Sequence, residues 1–146
     1  RITPGFILLQ TGIAAGIIKA SLEEINKSNA SHADINSYLE FDFKSLQDEY
    51  ISLLNLVQNL AKNINNVNPL DILEARLLGS NLTQKITSAA VLFSGARGYL
   101  AGSKVSRLQR EGNFVLIVTP SIKHLLKEIS EVKAGRGCIN SWKSKL

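Results

Sequence analysis

Apolar residues recur along this chain at intervals of three and four, the spacing that lines one face of an α-helix. In the first such stretch Ile7, Leu8, Ile13, Ile17, Ile18, Leu22 and Ile25 follow Pro4 and Gly5, predicting a helix to about Lys27. Gly12 and Gly16 lie one turn apart inside it; since glycine weakens a helix, they point to a packing face where another backbone comes close. The polar stretch from Ser28 to Asp34 predicts a loop, and Ser37 with Glu40 three residues on has the form of a capping box. A second helix then carries Phe41, Leu46, Tyr50, Leu53, Leu54, Val57, Leu60, Ala61 and Ile64 on its apolar side. It ends in the asparagine-rich run Asn63-Ile64-Asn65-Asn66-Val67-Asn68, which favours turns.

Asn68 caps a third predicted helix, with Pro69 at its first position and Asp71 in its first turn. Leu73, Leu77, Leu78, Leu82, Ile86, Ala89, Ala90 and Phe93 form its buried stripe, and Gly95 stops it. The turn Gly95-Ala96-Arg97-Gly98-Tyr99-Leu100-Ala101-Gly102-Ser103 follows, its glycines permitting positive φ and its serine suited to cap the next helix. The run from Val105 to Val118 reads as helix because an isolated strand would leave its backbone groups unpaired. Pro120 interrupts, Ser121 restarts, and Ile122, Leu125, Leu126 and Ile129 mark a short last helix ending near Val132.

Helices joined by short polar loops predict an all-α fold, an up-down-up-down four-helix bundle whose last member is broken near Pro120. One bundle domain over residues 1–133 and a basic tail over 134–146 account for the length. Apolar residues at 45% and charged residues at 20% suit a globular chain. The longest apolar stretch, Phe6 to Ile18, contains Gln10 and Thr11 and falls short of the roughly 20 residues that span a bilayer, so no membrane span is expected.

The net charge of +5 is concentrated late in the chain: nine Lys/Arg against three Glu from Ala101 on, eight basic against nine acidic residues before it. No aromatic side chains interleave with those charges to stack on bases, so a solvated face and tail are expected, and no nucleic acid partner. The lone Cys138 has no disulfide partner and favours a reducing, cytoplasmic setting. Ser144-Lys145-Leu146 spells a peroxisomal address if it is a natural eukaryotic terminus. The start at Arg1 and the lack of methionine suggest a segment of a larger protein. His32 and His124 are far apart and, with one cysteine, give no metal-ligand spacing. Tyr38, Tyr50 and Tyr99 read as packing residues at helix ends and faces, with a ligand role conceivable for Tyr99 alone.

The Gly95-Ala96-Arg97-Gly98-Tyr99 turn, with Arg107-Leu108-Gln109-Arg110-Glu111 beginning eight residues after Tyr99, resembles the C-terminal helical domain of acyl-CoA dehydrogenases. There a Gly-Gly-x-Gly-Tyr turn precedes an Arg-x-x-Arg-Asp helix start at the same distance. The first helix, Leu8 to Glu24, is similar to that family's opening helix, so the resemblance covers roughly residues 4–130. It implies an FAD cofactor contacted by Gly95, Ala96, Gly98, Tyr99 and Arg107, homo-oligomerisation through the bundle, and acyl-CoA only in a full-length protein. From the residues alone, the turn reads equally as a helix C-cap with a tight corner. Arg107 and Arg110 divide between an interface role and an ordinary pair with Glu111.

Departures from the family pattern fall where its chemistry lies. The two positions at which the family places its proton-abstracting glutamate align with Thr119 and Phe6, neither of which acts as a base near neutral pH. A flavin-contacting glutamine aligns with Leu92, and an Arg-x-x-Phe-Gly motif with Asn36, Leu39 and Glu40. The resemblance therefore implies a C-terminal domain that supplies dimer contacts and part of the flavin wall of an acyl-CoA dehydrogenase-like oxidoreductase, with no catalytic residue of its own. The other reading is a non-catalytic relative that survives as an oligomerisation or partner-binding module.

Overall fold

A computed structural model describes residues 4–136 and is helical, with no strand among them. Its elements are α1 (Pro4–Asn36), α2 (Phe43–Lys62), α3 (Pro69–Ser94), the single turn α4 (Ala96–Tyr99), α5 (Lys104–Ile117) and α6 (Ile122–Lys133). Most of the tail, with Cys138, Trp142 and Ser144-Lys145-Leu146, lies outside the described residues.

α3 starts and stops at the expected signals. Asn68 Oδ1 accepts a hydrogen bond from the Leu70 N–H at 3.1 Å, Pro69 stands where no N–H is needed, and Gly95 closes the helix with φ of 58°. Ser103 Oγ likewise accepts from the Ser106 N–H at 2.9 Å and begins α5. α1 and α2 differ from expectation. The stretch expected to be a loop, Ser28 to Asp34, continues α1 to Asn36 with a kink at His32 (φ −136°, ψ 29°). α2 begins after Asp42, whose Oδ1 accepts from the Ser45 N–H at 2.8 Å. Ser37 instead donates to the Asp34 carbonyl at 2.6 Å, so the capping-box pattern is not used.

α3 is the hub, packed against all five other helices. Cross-contacts give the directions. Gln10 meets Arg76 near the starts of α1 and α3, and Ser28 meets Phe93 near their ends, so these two run the same way. Lys85 pairs with Glu49 at 2.6 Å while a Cβ on Gly79 would touch Leu53, so α2 runs opposite to α3. Gln109 meets Ser88 and Arg76 meets Val115, so α5 also runs opposite. The main core joins Ile18, Leu22 and Ile25 to Leu46, Leu53, Leu82, Ile86 and Phe93. A second cluster docks α6, through Leu125 and Ile129, on Ile7, Ile72 and Leu73.

Several apolar positions assigned to the core face solvent. Ile13, Leu78 and Leu126 are about half exposed, and Tyr38 and Tyr99 almost fully so, leaving Tyr50 as the tyrosine that packs. Gly12 and Gly16 are exposed with nothing within 4 Å of an added Cβ, so among the described residues no other element's backbone lies against them. α1 is also long and apolar enough to cross a membrane by length and composition, although the apolar run from Phe6 to Ile18 alone falls short of a span. Half of its 18-residue apolar window is buried inside the fold.

Conversely, polar side chains occupy the interior. Arg76 is fully buried: it donates to the Val115 carbonyl at 2.8 Å, to Gln10 Oε1 at 3.4 Å and to Ser80 Oγ. Gln10 in turn donates to the Thr119 carbonyl at 2.6 Å. Val115 belongs to the last turn of α5, whose carbonyls lack intrahelical donors, so the guanidinium satisfies an orphan acceptor and sits at the negative end of a helix dipole. No carboxylate pairs with Arg76 among the described residues, and burial lowers its pKa from the ordinary value.

Candidate functional site

The end of α1 is tied to the end of α3 by polar contacts. Ser28 Oγ donates to the Phe93 carbonyl, and the buried Asn36 amide donates to Ser28 Oγ at 3.2 Å and Asn29 Oδ1 at 2.8 Å. These bonds hold the kinked last turns of α1 beside the Gly95 turn. On the third side Ser103 Oγ donates to the Gly98 carbonyl at 2.9 Å and fixes the start of α5. Together the three ends enclose an open cleft of about 580 Å³.

Of the residues expected to contact a cofactor, Gly95, Ala96 and Gly98 line this cleft, and Tyr99 and Arg107 do not. Gly95 combines a left-handed φ with open space at its Cβ, so a ligand has room to reach its backbone. Gly98 is a glycine for another reason: an added Cβ would lie 2.9 Å from Ser94 Cβ and 3.3 Å from Val105 Cγ1, so it serves the packing of the turn. Tyr99 projects outward, 84% exposed. Arg107 makes the ordinary intrachain pair with Glu111 at 3.4 Å, and Arg110 donates to Ser106 Oγ at 2.9 Å. Asn36 and Leu92, which the resemblance aligns with flavin-facing positions, also line the cleft.

Charge in the cleft comes from residues that the sequence reading passed over. Glu24 accepts from Lys27 at 2.7 Å and from Lys104 at 3.0 Å, and Lys104 also lies 3.8 Å from Glu23. Burial pushes the Glu24 carboxyl up, but the two lysines outweigh it and hold the pKa below the ordinary value; Glu24 in turn raises that of Lys27. Arg97, exposed on the turn, has no hydrogen bond or ion pair among the described residues. Three cations therefore face one committed carboxylate. The only hint in the sequence was the three-residue spacing of Glu24 and Lys27 within what proves to be continuous helix.

This donor set fits the phosphate-bearing half of a flavin dinucleotide: cations and hydroxyls beside an accessible glycine backbone, with the exposed side chains of Ile35 and Leu92 as apolar walls. It offers less to the flavin ring, since Leu92 has no hydrogen bond to give. His32 also lines the cleft, where it pairs with Ser31 at 2.9 Å; His124, on α6, pairs with Ser121 at 2.8 Å, and both histidines are exposed. No group of three potential metal ligands occurs among the described residues. Thr119 is exposed and Phe6 about half exposed, and neither carries a titratable group. No family model matches this chain, and no curated protein or solved structure is found to resemble it.

Proposed function

We propose that this chain is the C-terminal helical domain of an acyl-CoA dehydrogenase-like flavoprotein, an up-down-up-down four-helix bundle contributing dimer contacts and part of a flavin wall. One observation carries the reading. Asn36, Leu92 and Gly95, the positions that align with separate flavin-facing motifs of that family, come together at a single cleft although the first two are 56 positions apart. FAD, when bound, supplies the hydride acceptor. The chain's share is steric and electrostatic: Gly95 and Ala96 present backbone, Leu92 an apolar wall, and Lys27, Arg97 and Lys104 positive charge. Tyr99, exposed on the turn, and Arg107, exposed on α5, would meet a partner subunit, and acyl-CoA would engage only the complete protein, which we place in the cytoplasm. With Thr119 and Phe6 at the aligned base positions, proton abstraction falls to a group outside them.

A second reading is favoured by the solvent-facing stripe of Phe6, Leu9, Gly12, Ile13 and Gly16. A small-residue, apolar helix face suits a homo-oligomer contact, and this is the non-catalytic module in which assembly outlived the chemistry. The two are separated by isolating the protein as the cell makes it. Visible flavin absorbance that Gly95→Val diminishes supports the flavoprotein. A colourless, stable oligomer by light scattering supports the module and refutes the flavin reading.

A further inference from the structure

Two of the cations in the cleft, Lys27 and Lys104, lie outside the family motifs, and the third, Arg97, stands at the variable position of the Gly95 turn. Where those motifs place an arginine and a glutamine, this chain has Asn36, with its amide bonded within α1, and Leu92. Lys27, Arg97 and Lys104 converge on the same space from α1, the Gly95 turn and the start of α5. Opposite them stands Glu24, its side chain only 16% exposed and in contact with two of the three. A carboxylate bonded to two ammonium groups is what a bound phosphate would look like to those lysines, since both present oxygens with spread negative charge.

We propose that the cleft binds a phosphate-bearing ligand through Lys27, Arg97 and Lys104, and that Glu24 is an internal counter-ion which the ligand's phosphate displaces. The ligand class is a nucleoside diphosphate or a larger molecule containing one, its ring resting on Ile35 and Leu92. Without ligand, Glu24 offsets part of the positive charge and ties α1 to α5 through Lys104. On binding, Lys104 turns from Glu24 to the phosphate, Arg97 adds a donor that has no other partner among the described residues, and the ligand's negative charge meets the excess of cations that one carboxylate leaves. Affinity is therefore set as much by the strength of the internal pair as by the ligand contacts.

The inference deepens the flavoprotein reading and rests on it for the dinucleotide chemistry, but its test is separate. Titration calorimetry of the 146-residue chain is carried out with ADP, pyrophosphate and adenosine. ADP and pyrophosphate should bind and adenosine should not. Lys104→Gln and Arg97→Gln should each weaken ADP by about tenfold, the scale of one charged hydrogen bond. Glu24→Gln should tighten it several-fold, and Lys123→Gln, on α6, should leave it unchanged although it alters net charge equally. Circular dichroism verifies that each variant is folded. The proposal is overturned if neither phosphate compound binds, if adenosine binds as well as ADP, if Glu24→Gln weakens binding, or if Lys123→Gln matters as much as Lys104→Gln. A native flavoprotein that keeps its flavin in the Lys104→Gln/Arg97→Gln double variant would leave the function standing and remove this inference. Charge-dependent ADP binding by a protein without flavin would do the reverse.

Discussion

Replacing Arg76 tests the interior of the fold most directly, because the outcome depends on what the side chain is replaced with. Arg76→Ala leaves the Val115 carbonyl and Gln10 Oε1 without their donor, each an orphaned buried acceptor worth about 1–3 kcal/mol, and opens a cavity besides. The orphaned acceptors and the cavity together should cost about 3–5 kcal/mol. Arg76→Met orphans the same acceptors and removes the same charge but fills the space, so it should cost about 2 kcal/mol less than alanine.

Urea unfolding followed by far-ultraviolet circular dichroism gives both values, provided that the slope of the transition is unchanged. A double-mutant cycle with Gln10→Leu then asks whether the bonds act as one network. Gln10 links Arg76 to the Thr119 carbonyl, so the two substitutions should be non-additive by at least about 0.5 kcal/mol. A loss of less than about 1 kcal/mol for Arg76→Ala, or additivity in the cycle, would refute a guanidinium that ties α1, α3 and α5 together.

Three further outcomes follow from the same packing. Gly112→Ala would place a Cβ 2.8 Å from Thr87 Cγ2 and should cost about 1–3 kcal/mol in urea unfolding, with most of the loss recovered in the Thr87→Ala background. Gly12→Ala and Gly16→Ala meet open space and should each stabilise the chain by about 0.5–1 kcal/mol in thermal melts, while weakening association seen by light scattering if this face joins two copies. The Glu24 carboxyl titrates below its ordinary 4.5, so its stabilising pairs are intact above that pH and are lost as pH falls through the lowered folded value. In an acid titration monitored by circular dichroism, Glu24→Gln should remove part of the loss of stability between the ordinary 4.5 and the lowered folded value.

The elements that could be read from the sequence are those whose ends depend on local chemistry. Asn68-Pro69, Gly95, Ser103 and Pro120 each act on the nearest few backbone groups, so α3 and α5 stand where their caps put them. The end of α1 depends instead on bonds to distant residues. Ser28 has a partner 65 positions away in Phe93, and no local pattern announces that such a polar stretch continues a helix. Asp42 rather than Ser37 caps α2, since α1 runs on to Asn36 and Ser37 donates to the Asp34 carbonyl. Hydrophobic spacing also failed at Arg76, Ser80, Thr83 and Thr87, a polar stripe on the buried side of α3 that periodicity assigns to solvent. As for the site, Gly95, Ala96 and Gly98 could be located from their motif, whereas Lys104 and Glu24 meet only once α1 and α5 are laid side by side.

The two polar clusters sit at opposite ends of the bundle, and that separation bears on what the cleft can do. Arg76, Gln10 and the Thr119 carbonyl fasten the far end of α5, and Gly112 against Thr87 fixes its middle by close contact. The cleft end is held by Ser28 on Phe93 and by the Glu24–Lys104 pair. Lys104 is 39% exposed, and an ion pair at that exposure contributes at most about 1 kcal/mol. Breaking it to receive a ligand therefore leaves the anchors of α5 untouched. The bundle's stability should be governed by Arg76 and its ligand affinity by Lys104, so substitutions at the two ends should act on unfolding and on binding independently.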